Sequence, residues 1–242
     1  MKRAGFVFFA VVLASLGTGC VSSGKAALLS QREPIALVSV ISNWDINWKD
    51  EDSTDPNTLG PLAKRTLRSD PGNAIISNAD GLINNAEDLI RETMSSSGVI
   101  HFADKETVLR SNVYQKAEEN KYQISHEMVK PIDYRFIDFR DKNFPGAFAA
   151  ETGIQRIMFV EFTFTKAMAT GVGKNGSCKA MVDMTVSIVD AQGKSLYKQT
   201  VSLASRDSTK ISNGVYSQSG LMSLFDSAVT DACYEFMDDL QY

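Results

Sequence analysis

The side chains with the most chemistry to offer are three cysteines, at positions 20, 178 and 233. A thiol can be acylated, oxidised, metallated or used as a nucleophile, and its surroundings decide which. Cys178 shares strand parity with Ala180, Val182, Met184, Val186 and Ile188. Cys233 lies beside Ala232 and Phe236 in the apolar stripe of a helical pattern. If that helix packs on that strand, Cys178 and Cys233 could form a disulfide in an oxidising compartment. Closing the loop between them would stabilise the fold by about 4 kcal/mol in the chain-entropy treatment. Two separate buried thiols fit the same positions, and the residues leave both readings open.

Other constellations bear on catalysis and metal binding. "GVGKNG" (171–176) matches G-x-G-x-x-G. A phosphate cradle needs that motif between a strand and a helix, so that backbone N–H groups and the helix N-terminus meet the anion. Here it joins two strand patterns and lacks a Gly-Lys-Ser/Thr ending, so a hairpin tip is expected. The two histidines are His101, in the short apolar run "VIHFA", and His126, in a polar stretch. His101 reads as a packed or edge residue and His126 as exposed. The sequence contains no H-E-x-x-H, no zinc-finger spacing and no G-x-S-x-G elbow. The expectation is therefore no catalytic residue, no metal site and no cofactor. Asp45, Asp50, Glu51, Asp52 and Asp55 lack the ligand spacing of a calcium loop and read as a solvated acidic stretch. Trp44 and Trp48 alternate with polar residues on one face of a strand extension. They serve either as interface anchors or as side chains buried under the segment that follows.

The elements that must position these groups follow from periodicity. "PIALVSVIS" (34–42) is a continuous apolar, β-branched run, as in a strand buried on both faces. Residues 50–77 carry two Asp-Pro dipeptides and several Gly, which argues against a regular element. Leu82, Ile83, Ala86, Leu89, Ile90 and Met94 recur at helical spacing, with Asn78 or Asp80 as the cap. "VIHFA" predicts a short strand, and Asp104 caps a helix running through "KETVLRSNVYQKAEE". Residues 120–142 are ambiguous, with "YRFIDFR" a short strand candidate, and "NFPGAFAAETG" predicts a helix closed by Gly153. Residues 156–169, 178–190 and 195–205 alternate strictly and form a meander of three antiparallel strands. A final amphipathic helix carries Leu221, Leu224, Phe225, Ala228, Val229, Ala232, Phe236 and Leu240. The fold class is α/β (α+β): a mixed sheet ending in a three-stranded antiparallel meander, with helices packed on it.

Composition sets the outer bounds. The chain has 242 residues, 43% hydrophobic and 22% charged, with net charge −4. That suits one globular domain, and no Lys/Arg stripe recommends nucleic acid as a partner. The N-terminus begins "MKR" and continues with the apolar run "GFVFFAVVLASL", too short to span a bilayer and flanked like a secretory h-region. "GTG" then precedes Cys20.

This start resembles the bacterial lipoprotein signal, in which the cysteine at the first mature position receives a diacylglycerol through its thiol. The usual Leu three residues before the cysteine is replaced by Gly17, with Leu16 one place further back. An ordinary cleavable signal, leaving Cys20 a free thiol, is the alternative. The resemblance implies a signal peptide over 1–19, a lipidated Cys20 with a flexible tether over 20–33, and a single domain over 34–242. Val21 in place of Asp after the cysteine points, by the same resemblance, to the outer membrane, with the domain facing periplasm or exterior. Residues 35–240 also resemble, as a pattern of elements, the α/β domain of TolB N-terminal and CsgG-like lipoproteins, through "IALVSV", "VIHFADKETVL", "FVEFTFTKAM" and "VSIVDAQGKSLYKQ". That likeness implies a non-enzymatic envelope protein that binds an envelope protein partner or assembles into a homo-oligomer. A small-ligand or cell-wall binding lipoprotein, with its site near 43–77, is the alternative.

Overall fold

Two long strands form the spine of the sheet. β3 (Arg156–Val172) and β4 (Asn175–Asp190) pair antiparallel from Arg156↔Asp190 to Val172↔Asn175. Alternation places Met158, Val160, Phe162 and Phe164 on the same face as Val182, Met184, Val186 and Ile188, and all eight are buried. Each such side chain contributes ~1.5–3 kcal/mol relative to exposure. The computed structural model describes residues 25, 28, 33–48, 79–126, 128–138, 140–172 and 175–241.

Both flanks of this spine are built from split strands. β1 (Ile35–Ser42), buried at every position, runs parallel to the first half of β3. The chain then swells outward and returns as β2 (Asn47–Trp48), parallel to Thr165–Lys166 of the same strand. Asn43 fills the gap: its side-chain amide donates to the Phe164 carbonyl at 2.9 Å and accepts from the Phe164 N–H at 2.7 Å. A side chain thus completes the ladder where the backbone has moved away. On the other flank, β5 (Ser195–Ala204) pairs with Met181–Val189 of β4, and β6 (Thr209–Ser212) pairs with Gly176–Cys178. β7 (Val215–Tyr216) adds to β6. The result is a seven-stranded mixed sheet curved into a half-barrel.

The six helices described below pack on this sheet or against one another. α1 (Asp80–Ser96) buries Leu82, Ile83, Ala86, Ile90 and Met94. It follows Ala79, whose N–H donates to the Trp44 carbonyl at 3.0 Å. Ala79, with no side-chain cap, is the residue before the helix. Asp104 caps α2 (Lys105–Leu109) through the Thr107 N–H, as its position suggested. The expected helix through residue 119 breaks at once, however. Ser111 starts a second short helix, α3 (Asn112–Lys116), by accepting from the Tyr114 N–H. α4 (Lys121–Ser125) and α5 (Asn143–Thr152) follow, α5 ending on Gly153 at φ 78°. Two expected strands are not formed. "VIHFA" contributes one parallel bridge, Ile35↔Phe102, and "YRFIDFR" is irregular chain. Its backbone is satisfied elsewhere: Phe136 accepts from the Asn120 N–H, and the Arg135 N–H donates to the Tyr114 hydroxyl.

α6 (Gln218–Gln241) closes the core. It crosses the sheet diagonally, with Phe225 edge-on to Phe164 of β3 and Phe236 edge-on to Tyr197 of β5. Leu221, Leu224, Phe225, Ala228, Val229, Ala232, Phe236 and Leu240, the expected stripe, are all buried. Among the described residues no helix is long and apolar enough to cross a membrane.

Candidate functional site

Trp44 and Trp48 are half-buried and pack against the core rather than standing free. Trp48 has a specific partner. Lys166, only 4% exposed, places its Nζ 5.2 Å from the Trp48 ring and 5.9 Å from the Tyr216 ring, with the Tyr216 hydroxyl at 3.4 Å. A buried ammonium between two aromatic faces is held by their negative quadrupoles. The arrangement pins β2 and β7 to the same end of the spine. Cys178 lies in this neighbourhood. Burial pushes its thiol up to about 11, only partly opposed by the Lys166 charge. Burial also raises the Tyr216 hydroxyl to about 12.

Cys178 and Cys233 are both buried and both free. Of the two readings the residues leave open, the structure holds two separate buried thiols. Gly220 approaches Thr209, the register partner of Cys178, so Cys178 lies by the first turn of α6. Cys233 is thirteen residues further along that helix, about 20 Å at 1.5 Å per residue, near Phe236 and Tyr197. A disulfide needs Cα atoms within roughly 7 Å. Both thiols face the core, as their patterns predict, but far apart along α6. Burial holds the Cys233 thiol at about 12. Cys20 lies outside the described residues, as do Asp50, Glu51, Asp52 and Asp55; Asp45 is exposed.

"GVGKNG" has the hairpin role expected of it. Gly171 and Gly176 face each other across β3 and β4. A Cβ on Gly176 would collide with the Thr170 carbonyl, and one on Gly171 would sit 2.6 Å from the Asn175 carbonyl. The glycines permit close strand approach; Gly173 and Lys174 lie outside the described residues. His101 is exposed, and its carbonyl accepts from the Ile35 N–H. His126 is exposed and stacks on Tyr122 at 3.8 Å.

Sequence reasoning missed a buried polar cluster between α1, α2 and the chain after α4. Glu87 is 2% exposed and accepts from Arg91 Nε, from Lys105 Nζ at 2.6 Å and from the Tyr134 hydroxyl at 2.9 Å. Arg91 also donates to that hydroxyl at 2.8 Å. Burial pushes the Glu87 carboxyl up, but hydrogen bonds from Lys105, Arg91 and Tyr134 and the Arg91 charge outweigh it and leave the group below its ordinary value. Burial raises the Tyr134 hydroxyl well above its usual range. The signal was present: Glu87 occupies the i+4 position after Ile83 and precedes Ile90 by three, on the buried stripe. Outside the cluster is an open groove of about 660 Å³, lined by Glu106, Arg110, Glu119, Lys130, Asp133 and Arg135 among others. Its balanced charges favour no particular ligand. Nearby, Glu151 of α5 accepts from the Ser111 hydroxyl and the N–H groups of Asn112 and Val113, which lowers its carboxyl to about 2.

The two edges of the sheet are treated differently. The outer edge of β1 is covered at both ends, by the Ile35↔Phe102 and Ser42↔Val129 bridges. β5 has ten residues and, among the described residues, no strand on its outer side. It contains no Pro and a single charge, Lys198. Such an edge is a ready template for another chain, and proteins ordinarily blunt it. Lys198, Thr200 and Ser202 are exposed on one face, and Tyr197, Gln199, Val201 and Leu203 turn toward α6. Compared with known proteins, the chain matches no family model and no curated sequence.

Proposed function

We propose that this protein is a lipid-anchored cell-envelope component that acts without catalysis by binding a protein partner. The observation that carries the reading is the ten-residue edge of β5, which no strand pairs among the described residues, in a sheet whose other edge is bridged at both ends. An edge of that length offers about 33 Å of backbone donors and acceptors to a partner strand. The N-terminal pattern ending at Cys20 supports the address: two or three acyl chains, at ~0.8 kcal/mol per buried CH₂, hold a protein at a bilayer essentially permanently.

Two measurements test this. Mass spectrometry of the mature N-terminus should find an acylated Cys20, and Cys20→Ser should release the protein from membranes; an unmodified or differently cleaved N-terminus refutes the anchor. Photo-cross-linkers placed at exposed surface positions around the domain in intact cells should trap a discrete protein adduct. Absence of any adduct from every position refutes the binding role.

A further inference from the structure

The flank of this β5 edge, unpaired among the described residues, carries a charge pattern that points to what it would bind. α6 contains five acidic residues and no basic one. Three of them, Asp231, Glu235 and Asp239, are spaced i, i+4, i+8 and so share one side of the helix. Both ends of that stripe reach β5 or its continuation: Asp239 accepts from Gln199, and Asp231 accepts from Arg206 at 2.8 Å. The stripe therefore runs beside the open edge, with Glu235 exposed between its ends. Asp238 and Asp239 occupy the last turn, where the helix dipole is already negative. Carboxylates there repel both the helix end and one another. The chain's own Lys25 meets this charge, donating from Nζ to the Asp239 carbonyl at 2.7 Å.

From the open edge and this stripe together, we propose that β5 accepts an extended, cationic segment of a partner protein as an added strand. Its basic side chains, at every second position, lie against the α6 carboxylates. Basic residues on that face of the added strand point toward Glu235, exposed between Asp231 and Asp239. A second copy of this chain is a poor occupant. Pairing β5 with β5 across a two-fold axis would set two acidic α6 helices on the same face of one continuous sheet. The proposal rests on the partner-binding reading above and specifies the site and chemistry of the partner.

The test uses the full chain purified in detergent and two dye-labelled peptides of one composition, TKVKTKVKT and KKKKTVTVT. The alternating peptide should bind more tightly. It should slow hydrogen exchange across 195–204, which charge attraction to α6 alone would not do. The triple change Asp231→Asn, Glu235→Gln, Asp239→Asn should weaken it about tenfold, the scale expected of three partly solvated ion pairs. Equal binding of the two peptides, unchanged exchange in β5, or an unaffected triple variant would overturn the proposal. So would protection of β5 in peptide-free protein accompanied by dimerisation, which would make a second copy the occupant. In cells, a cross-linked partner trapped elsewhere while positions 198 and 202 stay silent refutes this site but leaves the partner-binding role standing. No partner from any position refutes both.

Discussion

Replacing Glu87 by Gln should be among the most costly single changes in the molecule that leave side-chain volume intact. The carboxylate is 2% exposed and serves two cations and a phenol at once. Gln retains one acceptor oxygen but turns an NH₂ group toward Arg91 or Lys105. Removing the anion from a fully buried pair costs ~3–5 kcal/mol. Here Arg91 and Lys105 are 18% and 35% exposed, so water recovers part of their solvation. That sets the expected loss at about 2–3 kcal/mol, or roughly 4–10 °C in Tm for a domain of this size. Tyr134→Phe removes only a neutral hydroxyl from the same cluster and should cost about 1 kcal/mol. The pH dependence separates charge from shape. Glu87 has a folded-state pKa below the ordinary 4.5, so its contribution is complete above that value and fades as pH falls through the folded one. Gln does not titrate. Urea denaturation followed by circular dichroism should therefore show the gap between wild type and Glu87→Gln narrowing from pH 7 to pH 3. A gap under about 0.5 kcal/mol at neutral pH, below even one ordinary hydrogen bond, or one unchanged at pH 3, would refute the electrostatic account.

Three further outcomes follow from other contacts. Glu151, held at about 2 by its clasp on the start of α3, stabilises the protein above about 4.5 and loses that effect as pH falls toward 2. Glu151→Gln should remove this acid sensitivity and speed hydrogen exchange at the amides of Asn112 and Val113; unchanged exchange there counts against the clasp. Cys178 and Cys233, with thiols raised to about 11 and about 12, should resist thiol reagents at pH 8 while folded and react fully in denaturant. A non-reducing mass two units lower for the wild-type chain would show a bridge instead. Asn43→Ala leaves the Phe164 N–H and carbonyl without their partner and should cost about 1–3 kcal/mol in chemical denaturation; a change within error would mean that water replaces the amide.

The meander was legible because strict alternation in β3, β4 and β5 has one physical meaning, a sheet with one face in the core. α6 was legible for the same reason at helical period, and Gly153 because a left-handed residue suits a helix end. The break at Ser111 was hidden by a periodicity that spans it; only Ser-Asn, a good capping pair, hinted at the new start. "VIHFA" and "YRFIDFR" have strand composition, yet their backbones are satisfied by a bridge, by Asn120 and by the Tyr114 hydroxyl. Composition does not reveal such partners. Neither Trp48 nor Cys178 announced Lys166, because a lysine in an alternating strand looks like an exposed one until the opposing rings are in place. The β5 edge was invisible for a similar reason: a sequence shows a strand, not which side of it remains unpaired.

The bond from the Ala79 N–H to the Trp44 carbonyl has an engineering consequence. Chain that departs after Trp48 re-enters within a few residues' reach of where it left. The two ends are fastened to the scaffold by their own contacts: Trp48 through β2, and Ala79 through Trp44 and the first turn of α1. Joining two points fixed so close together costs a loop-closure entropy that grows only slowly with the length of the joining chain. The ends at Trp48 and Ala79 therefore suit a graft, since a module joined at both leaves the register of β2 and the start of α1 set by contacts of their own.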